Sequence, residues 1–334
     1  MTSSTVLGST QKKAATFASD SLLSLASQAS HHFRRITRAY AFFNITYFLA
    51  FAFELFGLLL FFSFFMRSSI VAFTLATLFL TGFSYFVLRF YLQGRKPQQI
   101  EQLRQEFEAS CEKCFPKDLP PTERRRGITG ALHAFIAELE GQEYQYYPLP
   151  SWLSSLQPLL QKFSLWCHWQ DVLDTKELLF RTSLRLQMEN IKSDPTSIDV
   201  HTMLARTYID LYHLYQSPQV FATKDQTKVL TEKFHAAAHR ALEELKIINT
   251  FSPDELWVQA QFVSVYGDLG KKEKEIEHCE TLARLAPQDR EVLFRLGVLY
   301  FSQGKMAHGL KIYEQLKKGR DPKADELLMH YIHR

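Results

Sequence analysis

The sequence predicts an all-α protein in which a transmembrane helical hairpin is followed by an α-solenoid, an array of stacked helix pairs. Two nearly uncharged apolar runs, residues 40–66 and 70–88, lie near the start of the chain. In the long remainder, segments rich in Leu, Ala, Glu and Lys alternate with glycines and prolines, without the alternation of a β-strand. Three late prolines, Pro253, Pro287 and Pro322, follow one another at intervals of 34 and 35 residues. A period of this size is typical of stacked helix pairs.

These patterns divide the chain of 334 residues into a part that is expected to contact lipid and a part that is expected to contact water. The apolar runs belong to a membrane anchor, and the part that follows is long enough to bury a core of its own. We expect four segments: a Ser/Thr-rich tail with a possible amphipathic helix (1–38), the two-helix transmembrane hairpin (39–92), a connector (93–127) and the helical-repeat domain (128–334).

Each apolar run is long enough to cross a bilayer as a helix. The runs hold 27 and 19 residues, and a membrane core needs ~20 apolar residues. Only Arg67, Ser68 and Ser69 separate them, so the chain must double back. Of the 28 phenylalanines, 15 fall between Phe42 and Phe90. A lipid bilayer is therefore an expected partner, and helix is the only open-ended structure that satisfies its own backbone there.

The basic residues predict the orientation of this hairpin. Residues 1–38 hold five basic residues against Asp20 alone, a net +4 that equals the net charge of the whole chain. The exit from the second run carries Arg89, Arg95 and Lys96, whereas the turn has only Arg67. Because positive flanks mark the cytoplasmic side, both termini of this multi-pass protein should be cytosolic. A pI near 8.7 does not indicate nucleic-acid binding, since no basic patch is interleaved with aromatic residues.

An apolar stripe at helical spacing precedes the first run. Two interpretations stay open: a short helix that packs on the soluble domain or frays, or an interfacial helix that lies on the membrane. The stripe comprises Ala18, Leu22, Leu25, Ala29, Phe33 and Ile36.

One carboxyl group lies inside the hairpin. Burying Glu54 in lipid costs ~2.5–3.5 kcal/mol on insertion scales, so it needs a partner or a proton. Folding the runs about the Arg67 turn sets Glu54 opposite Thr81, in a stripe of hydroxyl residues that includes Thr77. Small polar residues favour contacts between transmembrane helices. We expect Glu54 to make a polar contact with Thr77 and Thr81, and an oligomer through the hairpin is possible.

Signatures of catalysis and of metal binding are missing from the sequence. There is no P-loop, no dinucleotide fingerprint, no H-E-x-x-H and no G-x-S-x-G. Cys111 and Cys114 form a C-x-x-C, but they lie at the end of a predicted helix, where the dipole opposes a thiolate, and no second pair completes a zinc site. We therefore predict reduced, unreactive thiols, no cofactor, no metal and no enzymatic activity.

The repeats carry a recognisable motif. Tyr266 and Tyr300 are 34 residues apart, as are Gly270 and Gly304. With these residues the chain resembles the tetratricopeptide-repeat family, which implies two antiparallel helices per unit. The clearest units cover about 256–289 and 290–323, and a third would begin near Ile198. The last unit has Leu296, Gly297, Tyr300, Gly304 and Gly309 at the family's positions, whereas the unit before it has Glu275 where a small residue is expected.

The resemblance also implies a binding surface. In this family the first helices of successive units line a concave groove that holds a protein or peptide ligand. The residues of the family that clamp a terminal carboxylate are missing here, so the groove points to helical or extended segments. By this geometry the groove comprises Asp199, Thr202, Arg206, Trp257, Ala260, Ser264, Phe294, Val298 and Phe301.

Three functions agree with these patterns. The first is a membrane-anchored helical-repeat scaffold that mediates protein–protein interaction at the cytosolic face. The second rests on layout alone: the hairpin resembles the bilobed hydrophobic domain of inclusion-membrane proteins, which imply type III secretion by an intracellular bacterium and a repeat domain in host cytosol. The third is an assembly subunit of a membrane complex, in which Glu54 faces partner helices.

Overall fold

A computed structural model describes residues 3–60, 70–147, 151–216 and 221–332. Within these ranges the protein has eleven α-helices, two short 3₁₀ helices and no β-strand. This confirms the all-α prediction. The turn predicted at Arg67, Ser68 and Ser69 lies outside the described residues. The helices are α1 Ser3–Leu60, α2 Ile70–Lys113, α3 Pro121–Glu138, α4 Gln157–Ser193, α5 Ile198–Gln216, α6 Lys224–Phe251, α7 Leu256–Asp268, α8 Lys272–Leu285, α9 Arg290–Ser302, α10 Met306–Lys318 and α11 Lys323–Ile332.

The chain divides into two compact units, residues 1–186 and 187–334. The first contains α1 to α3 and most of α4. The second contains the end of α4 and the helices α5 to α11.

In the first unit, α1 and α2 pack side by side and present apolar side chains outward. The Phe53 and Phe79 side chains are 78% and 75% exposed, far more than the core of a water-soluble protein allows. Both helices are long and apolar enough to cross a membrane. Their mutual contacts are polar and aromatic: the Tyr40 hydroxyl donates to Gln99 Oε1 over 2.9 Å, and the rings of Tyr47 and Tyr85 lie 5.6 Å apart.

The part of α1 that precedes the apolar run packs on protein. Leu22, Ala26 and Phe33 are buried, and α1 contacts α3 along this stretch. A buried hydrogen bond joins Gln142 Nε2 to Ser30 Oγ over 2.6 Å. For residues 20–38 the structure therefore supports the first of the two interpretations, a helix packed on the protein.

Prolines lie inside α2 and in the segment that follows it. The helix continues through Pro97 and stops at Lys113, and Pro121 opens α3, where its missing amide hydrogen has no cost. In the loop between them, the Phe115 ring packs on Gly127, where an added Cβ would lie 2.3 Å from Phe115 Cζ.

The second unit is built from three helix pairs, α5–α6, α7–α8 and α9–α10, followed by α11. The same turn closes the first helix of the last two pairs. Gly270 and Gly304 have φ of 68° and 75°, and the amides of Lys271 and Lys305 donate to the carbonyls of Tyr266 and Tyr300, each over 2.9 Å. Only glycine adopts this left-handed conformation without strain, so the spacing of 34 residues is a structural period.

The turns that join successive pairs repeat in the same way. Ser252 N donates to Ile248 O and Ala286 N donates to Leu282 O, both over 2.8 Å and 34 residues apart. Proline follows each of these positions and cannot continue the helix. The second unit is thus a helical-repeat solenoid with tetratricopeptide-like units, as the sequence predicts.

The packing between paired helices explains why Glu275 replaces a small residue. In the last pair the small residue is Gly309, and the Phe301 ring fills the space above it, 2.3 Å from the place of a Cβ. In the preceding pair, Glu275 on α8 corresponds to Gly309, and Gly267 on α7 corresponds to Phe301. The small residue is therefore on the first helix of that pair and the large one on the second, the reverse of the last pair. A Cβ on Gly267 would lie 3.0 Å from Glu275 Oε1.

Candidate functional site

The candidate site is the surface formed by the first helices of the three pairs, α5, α7 and α9. Eight of the nine groove residues predicted from the sequence are exposed or half-buried on these helices. They follow helical spacing on one side, as in Trp257, Ala260 and Ser264 on α7. The opposite side of α7 carries Val258 and Phe262, which are buried in the core. The amphipathic pattern of each helix therefore determines which side chains reach this surface.

Between α5 and α7 the surface has a cation on an aromatic ring. The Arg206 guanidinium carbon lies 4.8 Å from the centre of the Trp257 ring. Arg206 is exposed and Trp257 is half-buried. Within the described residues, the Arg206 guanidinium has no carboxylate partner. The pair offers a flat apolar surface with a positive charge above it.

Side chains around this pair set the size and polarity of the surface. Thr202 precedes Arg206 by one turn of α5 and is half-buried, while Asp199, a further turn away, is exposed. Ala260 and Ser264 are small and half-buried. Below them, the Tyr212 hydroxyl donates to Asp268 Oδ2 over 3.2 Å, and burial raises the pKa of Tyr212. Tyr212 therefore stays neutral and holds α5 against α7.

On α9 the structure corrects one predicted residue. Phe301 is 1% exposed and cannot line a groove. Its ring packs on Gly309 and lies 5.4 Å from the ring of Tyr331 on α11. The prediction is wrong because Phe301 corresponds, 34 residues earlier, to Gly267, which faces the second helix of its pair.

The two other predicted residues of α9 stay at the surface. Phe294 and Val298 are half-buried. Phe294 is partly covered from α11, since its ring centre lies 6.2 Å from that of His330 and 5.7 Å from Lys323 Nζ. The open part of the surface is therefore centred on α5 and α7, and α9 forms its edge.

An ion pair between the buried Glu275 and the exposed Arg295 was not predicted from the sequence. Arg295 Nη2 donates to Glu275 Oε1 over 2.8 Å and to the carbonyl of Val263 over 3.2 Å. This contact joins α9 to both helices of the preceding pair. Glu275 is buried, and a charged residue at a position that needs a small one was the available signal.

The hairpin brings Glu54 and Thr81 together. The Thr81 hydroxyl donates to Glu54 Oε1 over 2.8 Å. The other carboxyl oxygen, Glu54 Oε2, is buried and has no hydrogen-bond partner within the described residues. Thr77 does not join this contact, because its hydroxyl donates to the carbonyl of Thr74 over 2.8 Å. One turn further along α2, Ser84 Oγ and the Tyr47 hydroxyl are 3.5 Å apart.

The cysteines are free thiols in this structure. Burial raises the pKa of Cys111 and of Cys279 to about 12, so neither is a thiolate at neutral pH. Among the described residues, no group of three or more His, Cys, Asp or Glu side chains could hold a metal ion.

Comparisons with known proteins give matches in structure only. The sequence matches no family model and no curated protein. A solved structure described as "MamA MSR-1 C2" is 15% identical, with a TM-score of 0.33, and the match covers 67% of this chain and 97% of that chain. TTC0263, a thermophilic TPR protein of Thermus thermophilus, is 20% identical with a TM-score of 0.30, and the match covers 64% of this chain and 96% of that chain.

Proposed function

We propose that this protein is a membrane-anchored helical-repeat scaffold that binds a protein ligand at the cytosolic face. The hairpin of α1 and α2 would hold the chain in the bilayer. The surface of α5 and α7 would bind the ligand. The observation that carries the proposal is the Arg206–Trp257 pair, a cation stacked on a partly exposed ring at the middle of this surface.

This pair has the chemistry of a protein-binding site. Trp and Arg are the residues most enriched among those that dominate binding energy in protein interfaces. A ligand would place a carboxylate near the Arg206 guanidinium and an apolar side chain beside Trp257, next to the ring face that Arg206 covers. The small side chains of Ala260 and Ser264 leave room beside the ring for the ligand backbone.

The anchor is supported by the outward-facing phenylalanines and by the position of the basic residues. Phe53 and Phe79 are exposed, and they lie in the middle of the first and of the second apolar run. Arg89 and Arg95 follow the second apolar run, and each is close to a tyrosine ring, Tyr85 or Tyr91. Arginine with tyrosine is typical of the level of the lipid headgroups.

Site-specific photocrosslinking tests the ligand site. A benzophenone side chain at Ser264, in the full chain within native membranes, should form a covalent adduct with the ligand. The same group at Lys246, an exposed residue of α6, is the control. Trp257→Ala and Arg206→Ala should abolish the adduct from Ser264.

The identity of the adduct decides the outcome. A discrete protein that is captured from Ser264 and not from Lys246 supports the proposal. Equal capture from both positions, or an adduct that survives the loss of Arg206 and Trp257, contradicts it.

A further inference from the structure

A stripe of apolar side chains is exposed along the first part of α4. It begins with Leu156, at the end of the 3₁₀ helix Ser151–Leu156, and continues with Leu159, Phe163 and Trp166. The spacings of 3, 4 and 3 residues place these side chains on one face. Their exposed fractions are 45%, 68%, 44% and 60%, too large for a row of core residues.

Ion pairs fix the direction of α4 beside α2. Asp171 pairs with Lys96, and fourteen residues later Arg185 pairs with Glu108 over 2.7 Å. The partners on α2 are twelve residues apart and run in the same order. The two helices are therefore parallel over this stretch.

This direction gives the height of the stripe along the hairpin. Helices rise about 1.5 Å per residue, so equal counts back from the Lys96–Asp171 pair reach equal heights. Trp166 is then level with Tyr91, Phe163 with Leu88 and Leu159 with Ser84. The apolar run of α2 ends at Leu88. The stripe is thus level with the last turns of that run.

The face of α4 that carries the stripe changes from apolar to polar at the same height as α2, whereas the other faces of α4 carry the exposed Gln157, Gln161 and Lys162. On the face of α4 that carries Phe163, the next exposed residues are Gln170 and Asp174. On α2 the corresponding change begins at Arg89 and continues with Arg95. Trp166 marks this level on α4, where tryptophan is favoured at a membrane–water boundary.

The geometry points to a third contact with the membrane: the stripe of Leu156, Leu159, Phe163 and Trp166 inserts into the same leaflet as the end of the hairpin, and lipid acyl chains cover it. This inference rests on the proposed membrane hairpin. Its occupant is lipid because the stripe is apolar, exposed and level with the apolar surface that α2 presents outward. Lys162, which flanks the stripe, can extend its ammonium group to the headgroups.

A second feature keeps this part of α4 at a fixed depth. The Phe163 ring packs against Tyr147, with ring centres 5.3 Å apart. The Tyr147 hydroxyl and His168 Nε2 are 3.2 Å apart, and His168 Nδ1 is 3.2 Å from Asp171 Oδ2. This buried polar chain leads to Lys96 on α2, so α4 cannot slide along the hairpin without breaking it.

Fluorescent labels on single cysteines test the contact in the full chain, reconstituted into phosphatidylcholine–phosphatidylglycerol vesicles. The label is placed by Leu159→Cys or Phe163→Cys, with Cys114 and Cys167 changed to Ala. Cys111 and Cys279 can stay, because they are buried. Asp174→Cys, on the same face of α4, is the control in water, and Phe79→Cys is the control in lipid.

Labels at Leu159 and Phe163 should be quenched by nitroxides on lipid acyl chains and protected from iodide, as at Phe79. The label at Asp174 should show the reverse. Tryptophan fluorescence gives a second test without a label. Brominated lipids should quench part of the tryptophan emission of the wild-type chain, and Trp166→Phe should remove most of that part. Trp166 is exposed, so the substitution leaves the protein core unchanged.

Two results overturn the inference. Labels at Leu159 and Phe163 that respond to iodide like Asp174 would place the stripe in water. Labels that neither quencher reaches would mean that protein covers it. If the label at Phe79 also escapes the lipid quencher, the hairpin itself is not in the bilayer and the proposed function fails as well.

Discussion

The buried Glu275 carboxylate and the exposed Arg295 guanidinium form an ion pair that ties two repeats of the solenoid together. The guanidinium donates through Nε over 3.2 Å and through Nη2 over 2.8 Å to the same carboxylate oxygen, Oε1. The pair is possible because Gly267 leaves space beneath it. The contact replaces the packing of a large ring on a small residue that Phe301 and Gly309 make in the next repeat.

Removing the cation from this pair should destabilise the second unit. Arg295→Ala leaves the Glu275 carboxylate buried without a partner, and we expect a loss of about 1–3 kcal/mol, since Arg295 itself is partly exposed. Glu275→Ala should cost less, because the exposed Arg295 guanidinium can turn to water and only the space above Gly267 stays unfilled. Urea unfolding of the detergent-solubilised chain measures both. Equal losses from the two single variants would argue against the pair.

The close approach at Gly309 predicts a second stability effect. Gly309→Ala forces a methyl group into the Phe301 ring, and overpacking of this kind costs about 1–3 kcal/mol. Gly130, exposed on α3 with nothing near its missing Cβ, is the matched control. Gly130→Ala should stabilise by about 0.5–1 kcal/mol, because alanine favours the helix. Thermal midpoints that move in the same direction for both variants would contradict the packing.

His201 should make stability fall as pH rises. Burial lowers the pKa of His201, but hydrogen bonds to Glu244, over 2.6 Å, and to the Pro195 carbonyl outweigh it and raise the pKa above its ordinary value. The contribution is complete below about pH 6.5 and is lost as pH rises through the folded pKa. The thermal midpoint of His201→Gln should therefore change less than that of the wild type between about pH 6 and 8.

His278 should act in the opposite sense. Burial lowers its pKa, and its ring stacks on Phe262 with centres 4.3 Å apart. The neutral form is favoured in the folded state, so the contribution is present above about pH 6.5 and lost as pH falls through the folded pKa. His278→Gln should reduce the loss of stability on acidification. If His201→Gln and His278→Gln change the pH dependence of the thermal midpoint in the same direction, the environment assigned to one of the two histidines is wrong.

The Glu54–Thr81 contact predicts that Glu54 is not needed for membrane integration. Glu54→Leu loses one interhelical hydrogen bond, about 0.6–2 kcal/mol, and removes a carboxyl whose insertion costs ~2.5–3.5 kcal/mol. The variant should float with vesicles in a density gradient as the wild type does. Phe53→Glu, which puts a carboxylate on the exposed face of the same helix, should impair integration. Loss of integration in Glu54→Leu would contradict the contact.

The repeats could be predicted from the sequence because their turns depend on single residues. Gly270 and Gly304 adopt a positive φ, and Pro253 and Pro287 stop a helix, so each leaves a mark at a fixed position. These marks depend on local backbone geometry. These glycines and prolines can therefore be recognised in the sequence without knowledge of the tertiary structure.

The surroundings of Phe301 and of residues 20–38 could not be predicted in the same way. Phe301 and Trp257 are both aromatic residues on first helices, and only the packing partners, Gly309 for one and Arg206 for the other, separate core from surface. The composition of the apolar stripe around Phe33 is compatible with contact to lipid and equally with burial against protein. Its burial depends on α3, which is distant in sequence.

The most direct test of the account is the labelling of single cysteines with a membrane-impermeant maleimide in sealed vesicles. Three separate variants each carry one new cysteine, in place of Ser4, Ser68 or Asp325, and in all three Cys114 and Cys167 are changed to Ala. We expect the positions at both ends to be labelled from the same side, and the position in the turn to be protected until detergent is added. Labelling of the turn together with the ends, or of the two ends from opposite sides, would contradict a membrane hairpin that carries the solenoid on one face.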